Sequence, residues 1–311
     1  MKKQNKKIKT HSLVREYFGM KALQFEFYLK RIVLDAKYRS KKIQFVSPPI
    51  PKPSINQNQT PTNDISDYVS EYLGLQNTVY PFIASIAQLN DESTTLDFGC
   101  GFGTLAAAYK LNGSKGGSYY GYDTNPQAVK FCKNAYSEEA KFTFFGPEID
   151  STTNYVTNRR ISTANEAFSK RVKAHPSSED IANLLDQKLF NCQFSLSVFT
   201  HMWPEDAIET LRVFRDFSTN DATFINSWLI LDDVASSTVN QGNADRNLPI
   251  MVGGIYTYSQ LNPLVCTAYP IEKLHHVYSE AGHVITDIRF GSWAGRDNGV
   301  TYQDIVISKK L

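Results

Sequence analysis

The residues at 96–104, Leu-Asp-Phe-Gly-Cys-Gly-Phe-Gly-Thr, place a carboxylate just before three glycines at alternate positions. Gly99, Gly101 and Gly103 permit a tight turn and let a ligand approach the backbone without meeting a Cβ. The helix predicted to follow offers unpaired N–H groups and a partial positive charge to an anionic ligand group. Asp123 ends the next strand-like segment, where a carboxylate can bind both hydroxyls of a ribose. The pattern predicts a βαβ unit that binds a nucleoside.

The spacing of the glycines indicates which nucleoside is bound. A dinucleotide fingerprint reads Gly-x-Gly-x-x-Gly, and Thr104 stands where its third glycine would be. Asp97 would repel a pyrophosphate, but it could attract an ammonium group directly or through water. S-adenosylmethionine carries an ammonium, a sulfonium and a ribose, so it suits both acids. We therefore predict S-adenosylmethionine as the cofactor; a glycine turn without a ligand is the alternative.

These residues resemble the first motif of the class I S-adenosylmethionine-dependent methyltransferases. Two further segments resemble a bacterial subgroup of these enzymes: Ser-Val-Phe-Thr-His-Met at 197–202, and Gly-Ser-Trp-Ala-Gly-Arg at 291–296 followed by Gln303-Asp304. The resemblance covers roughly residues 94–310. It implies methyl transfer to a small hydroxylated molecule or a glycan, with O-methylation favoured.

His201 is the candidate catalytic residue. It follows the predicted fourth strand, and the carboxyl ends of strands line the ligand crevice of a doubly wound sheet. An imidazole titrates near neutral pH, so it can remove a proton from an acceptor. The alternative is a structural histidine that hydrogen-bonds a backbone carbonyl.

Three side chains are candidates for contact with an acceptor: Trp203, Trp293 and Arg296. An indole stacks on a sugar or another ring, and a guanidinium binds a carboxylate or phosphate. The structural alternatives are that Trp203 packs in the core, that Trp293 anchors a hairpin, and that Arg296 pairs with Asp304.

Other acidic residues have weaker assignments. An acid is expected near the adenine after the third strand, and we prefer Glu148 over Asp150. The Asp232-Asp233 pair is interpreted as the start of a solvated loop rather than as a ligand set for a divalent metal. No metal site is predicted.

The composition is that of a globular protein in a reducing, cytoplasmic setting. The chain has 311 residues, and no segment approaches the roughly 18 consecutive apolar residues of a transmembrane helix. The four cysteines have no metal-binding or paired spacing. The N-terminus lacks the apolar core of a secretory signal.

Charge is distributed unevenly along the chain. Residues 1–42 contain thirteen Lys and Arg against three acids, and the remainder contains twenty against twenty-eight. A basic arm with net charge +10 could contact an anionic membrane surface peripherally, dock on the acidic remainder, or aid solubility. No RNA-recognition signature accompanies the charge, so nucleic acid is not expected as a partner.

Composition and predicted elements divide the chain into three parts: a basic helical arm at 1–46, a Pro-rich linker at 47–62, and residues 63–311, which the resemblance implies to be a class I methyltransferase domain. Within this domain, strands and helices alternate, which favours a parallel sheet. The predicted strands lie near 94–98, 118–122, 141–145, 190–196, 222–229, 283–290 and 302–308, and the helices near 104–111, 125–136, 204–217 and 270–281.

The predicted fold class is therefore α/β, a Rossmann-like seven-stranded sheet with its last strand antiparallel. The segments near 146–189 and 232–268 are long for ordinary connections, so they are candidate lids or substrate-binding inserts.

Two other functions stay open at the level of sequence. One is an NAD-dependent dehydrogenase, which the glycine spacing disfavours. The other is a catalytically silent binding module that uses the cofactor fold as a scaffold and the basic arm to contact a membrane or nucleic acid.

Overall fold

A computed structural model of the chain describes residues 79–111, 117–146, 188–260, 263–299 and 301–311. Its strands, numbered in chain order, are β1 (Thr94–Phe98), β2 (Ser118–Tyr122), β3 (Phe142–Phe145), β4 (Phe190–Ser195), β5 (Ser218–Trp228), β6 (Ile230–Leu231), β7 (Ile250–Val252), β8 (Ile255–Thr257), β9 (Thr267–Pro270), β10 (His283–Arg289) and β11 (Asp304–Lys310). The helices are α1 (Tyr80–Ala87), α2 (Thr104–Leu111), α3 (Pro126–Ala135), α4 (Pro204–Asp216), α5 (Asp233–Asn240) and α6 (Ile271–Glu280), and short 3₁₀ turns lie at Phe199–His201 and Pro263–Val265.

Seven of the described strands form one sheet in the order β10-β11-β5-β4-β1-β2-β3. β1 to β5 pair in parallel, whereas β11 runs antiparallel to both β5 and β10. This confirms the predicted Rossmann-like α/β fold, including the antiparallel pairing of the last two strands. β5 begins at Ser218, four residues before its predicted start, because Ser218 pairs with Phe190 of β4.

The central strands are buried on both faces, as a parallel sheet covered by helices requires. All residues of 95–98 in β1 and of 222–228 in β5 are buried. Large aromatic side chains fill much of the core around them, including Phe98, Phe199, Phe214, Phe224 and Trp228. The polar residues of these strands therefore lie in surroundings that raise the cost of an unpaired charge.

Local signals explain where the helices beside the site begin. The side chain of Asn125 caps α3 by accepting hydrogen bonds from the N–H groups of Gln127 (3.0 Å) and Ala128 (3.4 Å). α4 starts with Pro204, close to the predicted start of this helix, and carries Glu205 and Asp206 in its first turn. Both helices begin just after strands that end at the carboxyl edge of the sheet.

The predicted insert at 232–268 contains α5, β7, β8 and the start of β9. Together with β6, which directly precedes the insert, these strands form a small second sheet in the order β6-β9-β8-β7. β6 follows β5 after one residue, which joins the two sheets at the carboxyl edge of β5. Leu231 of β6 and apolar residues of the insert, among them Val239 and Leu248, pack with Trp293 from the loop between β10 and β11. The insert is thus a folded layer over one end of the main sheet.

Several predictions lie outside the described residues: the arm at 1–46, the linker at 47–62 and most of the insert near 146–189. In the part that is described, no helix has both the length and the apolar character needed to cross a membrane.

Candidate ligand-binding and catalytic site

The glycine turn joins β1 to α2 at the carboxyl edge of the sheet. Gly99, Gly101 and Gly103 have φ angles of +86°, +52° and +75°, a backbone conformation that favours glycine. A Cβ added at Gly99 would lie 2.3 Å from Cγ2 of Val198, whereas one added at Gly101 would meet no described atom within 4 Å. The turn therefore packs against the segment after β4 at Gly99 and borders open space at Gly101.

Asp123 holds this turn in place. Its Oδ2 accepts a hydrogen bond from the N–H of Gly101 (2.8 Å), and its Oδ1 accepts one from the N–H of Asn125 (2.7 Å). Burial raises the pKa of Asp123, while these two N–H donors lower it. Each carboxylate oxygen has a further lone pair, so the group can still accept hydrogen bonds from ligand hydroxyls.

Asp97 is the second buried carboxylate beside the turn. Its Oδ2 accepts a hydrogen bond from the hydroxyl of Tyr119 on β2. Burial raises the pKa of Asp97 to about 7; the Tyr119 hydrogen bond opposes this shift, and the nearby charge of Asp123 adds to it. Among the described residues, no Lys, Arg or His forms an ion pair with Asp97 or Asp123. Two buried acids without a cationic partner favour a positively charged ligand group.

His201 lies in the 3₁₀ turn after β4, three residues from Val198. Its Nδ1 is 2.9 Å from the carbonyl oxygen of Leu264 in the insert, so Nδ1 donates and the neutral ring carries its lone pair on Nε2. Burial lowers the pKa of His201, and hydrogen bonds with the backbone of Leu264 and Val265 oppose that shift. The ring is therefore neutral at pH 7. The contact that a structural histidine would make is present, and it fixes the tautomer that a base requires.

Trp293 does not have the open face that the prediction required. Its side chain is completely buried, and its Nε1 donates to Oδ2 of Asp304 (2.7 Å). Asp304 also accepts the N–H groups of Gly291 (2.7 Å) and Ile230 (2.6 Å). The predicted stacking on an acceptor is thus corrected: Trp293 anchors the loop between β10 and β11, because its indole fills the core beneath the insert.

Arg296 pairs with Asp232 rather than with Asp304. Its Nη2 lies 2.5 and 2.6 Å from the two carboxylate oxygens of Asp232, and its guanidinium carbon lies 4.4 Å from the centre of the Phe290 ring. Asp232 also caps α5 through the N–H of Ala235. Through these contacts Arg296 and Asp232 hold the insert against the loop between β10 and β11.

Within the described residues, no group of three or more His, Cys, Asp or Glu is placed to hold a metal ion.

Trp203 and Glu148 are the two remaining residues predicted for the site. Trp203 precedes α4 and is buried in the main core, which matches the packing alternative. Glu148, like its alternative Asp150, lies outside the described residues.

A comparison with family models gave no match for this chain. Among solved structures, the magnesium protoporphyrin IX methyltransferase of Synechocystis PCC 6803 with bound SAH is 14% identical, with 78% of this chain and 88% of that chain covered at a TM-score of 0.44. The PH0226 protein of Pyrococcus horikoshii OT3 is 11% identical, with 79% and 92% covered at 0.47. An S-adenosylmethionine-dependent methyltransferase of Clostridium acetobutylicum ATCC 824 is 9% identical, with 77% and 92% covered at 0.45. Each is a distant similarity.

A chain of polar contacts at the carboxyl edge of the main sheet was not predicted from the sequence. The N–H of Ser197, a residue with φ +57°, donates to Oγ of Ser227 (2.7 Å), and that hydroxyl donates to Oε1 of Gln303 (2.6 Å). The left-handed conformation of Ser197 is costly for a residue with a Cβ, and such strain concentrates at functional sites. Ser197 and Gln303 belong to the motifs quoted above, but their contact could not be read from spacing alone.

The arrangement provides two adjoining halves. One half is the glycine turn with its two buried acids, which suits a cationic nucleoside. The other half is the neutral imidazole of His201 beneath the insert, which suits proton transfer from a second reactant. Val198 links the halves, because it packs against Gly99 and lies three residues before His201.

Proposed function

We propose that this chain binds S-adenosylmethionine at the glycine turn and transfers its methyl group to a hydroxyl oxygen of a small molecule or glycan. The carrying observation is the pair of buried acids, Asp97 and Asp123, beside a glycine turn that borders open space at Gly101; neither acid has a cationic partner among the described residues. Asp97, with a pKa of about 7, is about half ionised at neutral pH. A pyrophosphate would further disfavour its charged form, whereas an ammonium or sulfonium favours the charged form of both acids.

Each part of the turn has a role in this proposal. Asp123 binds the ribose hydroxyls through its remaining lone pairs, and Asp97 attracts the ammonium group from below the turn. Gly99, Gly101 and Gly103 let the backbone approach the nucleoside. Glu148, which lies outside the described residues, is proposed to contact the adenosine beyond β3. When bound, S-adenosylmethionine supplies an electrophilic methyl group on a good leaving group.

The chain itself would act by positioning and by proton removal. Holding an acceptor oxygen close and in line is the larger effect, on the order of 7–11 kcal/mol in favourable cases. His201 would accept the acceptor's proton at Nε2, which contributes roughly 10²–10⁴-fold. Support comes from the hydrogen bond between Nδ1 and the Leu264 carbonyl, because it orients the ring and fixes its tautomer.

The family subgroup and the cellular compartment are further parts of the same proposal. We infer that the chain belongs to the bacterial subgroup that its motifs resemble and that it acts in the cytoplasm. The four cysteines, which are free and buried, fit a reducing compartment. The three-part domain division and the contact of residues 1–42 with an anionic surface remain predictions from the sequence.

Replacing Gly101 tests the proposal. In Gly101→Ala, the new methyl group meets no described atom, so the cost to folding is the left-handed strain alone, about 1–2 kcal/mol. The same methyl group occupies the space where the nucleoside would lie. We expect binding of S-adenosylhomocysteine, measured by calorimetric titration, to fall at least about tenfold.

Gly242→Ala is the matched control. Gly242 has φ +72°, is exposed, and a Cβ there would be 3.9 Å from its nearest neighbour, Asn247. This variant should lose as much stability as Gly101→Ala and keep its affinity for S-adenosylhomocysteine. Equal affinities in the two variants would show that the ligand does not lie over Gly101.

A further inference from the structure

Ser227 is the centre of the polar contacts at the carboxyl edge of the main sheet. It lies near the end of β5, and its side chain is buried. Its Oγ accepts a hydrogen bond from the N–H of Ser197 (2.7 Å) and donates its only proton to Oε1 of Gln303 (2.6 Å). These partners are 30 and 76 positions away in the sequence, so one hydroxyl joins the segment after β4 to the loop before β11.

Gln303 is the fixed end of this line of contacts. Its carbonyl oxygen accepts the hydroxyl proton of Thr301 (2.5 Å). A Cβ added at Gly291 would lie 2.5 Å from the carbonyl carbon and oxygen of Gln303, so the two backbones are in direct contact. The next residue, Asp304, accepts the three hydrogen bonds described above. The backbone that carries the Gln303 amide therefore has little freedom to move.

Ser197 is the strained end of the same line. Its φ angle of +57° is one that residues with a Cβ seldom adopt, and its side chain is exposed. Such a conformation persists only where its surroundings enforce it, and the hydrogen bond from its N–H to Ser227 does so here. Loss of the Ser227 hydroxyl should let Ser197 relax and displace the residue that follows it, Val198.

Val198 contacts both halves of the candidate site. A Cβ added at Gly99 would overlap Cγ2 of Val198, so this side chain packs directly on the backbone of the glycine turn. The carbonyl oxygen of Val198 accepts the N–H of His201 (3.0 Å), at the start of the 3₁₀ turn. A displacement of Val198 would therefore reach the glycine turn and the candidate base together.

We propose that Ser227 and Gln303 are positioning residues for methyl transfer. Gln303 orients the hydroxyl of Ser227, and this hydroxyl holds the N–H of Ser197. Val198 is thereby kept against the glycine turn, which stays in the form that binds the nucleoside. In this role neither Ser227 nor Gln303 touches the cofactor. The inference rests on the function proposed above, because it assigns residues that support the same site.

Calorimetric titration of S-adenosylhomocysteine into three variants tests the proposal. Ser227→Ala removes the acceptor of the Ser197 N–H, and we expect the affinity to fall about tenfold. Gln303→Met keeps the length of the side chain but removes Oε1, so the Ser227 hydroxyl loses its orientation and the affinity should fall about threefold. Because the contacts act in series, the double variant should bind no more weakly than Ser227→Ala alone. Independent effects would multiply to about thirtyfold.

Two variants outside this line of contacts are matched controls. Ser308→Ala removes a buried hydroxyl from β11, and Gln241→Met removes an amide oxygen that accepts a hydrogen bond from Nδ2 of Asn243 (3.3 Å). Both should keep the native affinity to within about twofold. Denaturant unfolding checks that each variant is folded. Gln303 is only half-buried, so Gln303→Met carries the test if Ser227→Ala does not fold.

Amide hydrogen exchange gives a second readout that needs no ligand. The N–H groups of Gly99 and His201 are both hydrogen-bonded, and they report on the two halves of the site. In Gln303→Met and Ser227→Ala, both amides should exchange about three- to tenfold faster than in the native chain. The amide of Ala281, at the end of α6, should exchange at the native rate.

Additive losses in the double variant would overturn the proposal, because they would show that Ser227 and Gln303 act separately. Native affinity in both single variants, or native exchange rates at Gly99 and His201, would overturn it as well. If the native chain binds S-adenosylhomocysteine and the variants bind it equally well, the positioning role alone is refuted. If the native chain does not bind it, the proposed function fails and the positioning role fails with it.

Discussion

Asp97 is a buried carboxylate whose pKa is raised, and its burial makes the stability of the fold depend on pH. It is buried against Tyr119 in the middle of a strand, and its pKa is raised from 3.8 to about 7. The folded chain therefore holds this proton more tightly than the unfolded chain does. Linkage then requires the free energy of unfolding contributed by Asp97 to fall as the pH rises from about 4 to about 7, with the full cost present above pH 7.

Asp97→Asn should remove this cost. We expect the stability of the variant relative to the native chain to increase between about pH 4 and pH 7, by up to about 1.4 kcal/mol per pH unit. Denaturant unfolding at several pH values measures it. A stability difference that does not change with pH would contradict the assigned environment of Asp97.

The same variant should bind S-adenosylhomocysteine at least about tenfold more weakly at pH 8, because the amide cannot attract an ammonium group as a carboxylate does. A residue that destabilises the fold and improves binding is expected at a functional site. Unchanged affinity would mean that Asp97 serves packing alone.

Single residues also show what the sequence can and cannot reveal. The glycines and the two acids of the turn could be found by spacing, since a βαβ unit places them at one edge by rule. Trp293 could not be assigned, because its burial depends on the insert that covers it and on Asp304, which lies eleven residues further along the chain. Ser227 belongs to no motif, so its hydrogen bond with the N–H of Ser197 is visible only in three dimensions.

The loop between β10 and β11 is the element that joins the main sheet to the insert. Asp304 holds it by accepting hydrogen bonds from the N–H groups of Gly291 and Ile230 and from the indole of Trp293. Burial raises the pKa of Asp304 to about 6, and these three donors oppose that shift. The loop carries Tyr302 and Gln303, so its anchoring affects the acceptor side of the site.

Asp304→Asn should destabilise the chain by about 2–4 kcal/mol, because the amide turns an N–H donor toward donors that then lack an acceptor. Denaturant unfolding measures the loss. Asp287→Asn is the control: it removes an exposed ion pair with Arg289 on β10 and should cost less than about 1 kcal/mol. Equal losses in the two variants would show that Asp304 does not anchor the loop.

At the scale of elements, the long segments were predictable and the short ones were not. The strands and helices of the main sheet follow from alternating apolar segments with clear turn and capping residues, such as Asn125 and Pro204. The insert was recognised only by its length. The strands of the second sheet, β6 to β9, are two to four residues long and depend on non-local pairing, which leaves little periodicity to read.

The whole molecule assembles its site from segments far apart in sequence. The glycine turn, Asp123, the turn at 197–201 and residues 302–303 lie at one edge of the sheet, because parallel strands end there and because β11 begins there. This topology explains why the glycine turn, Asp123 and the turn at 197–201 could be predicted to lie together. The contribution of the insert required its folded structure, since no rule relates a long connection to the residues it brings over the sheet.

A calorimetric titration of the full chain with S-adenosylhomocysteine, with NADH as the comparator, tests the central claim most directly. The two buried acids beside Gly101 predict a dissociation constant for S-adenosylhomocysteine of about 1–100 µM and no detectable binding of NADH at about 1 mM. Binding of NADH with none of S-adenosylhomocysteine would contradict the account and favour a dehydrogenase. Absence of binding by both would contradict it as well, and would leave the glycine turn as a structural feature.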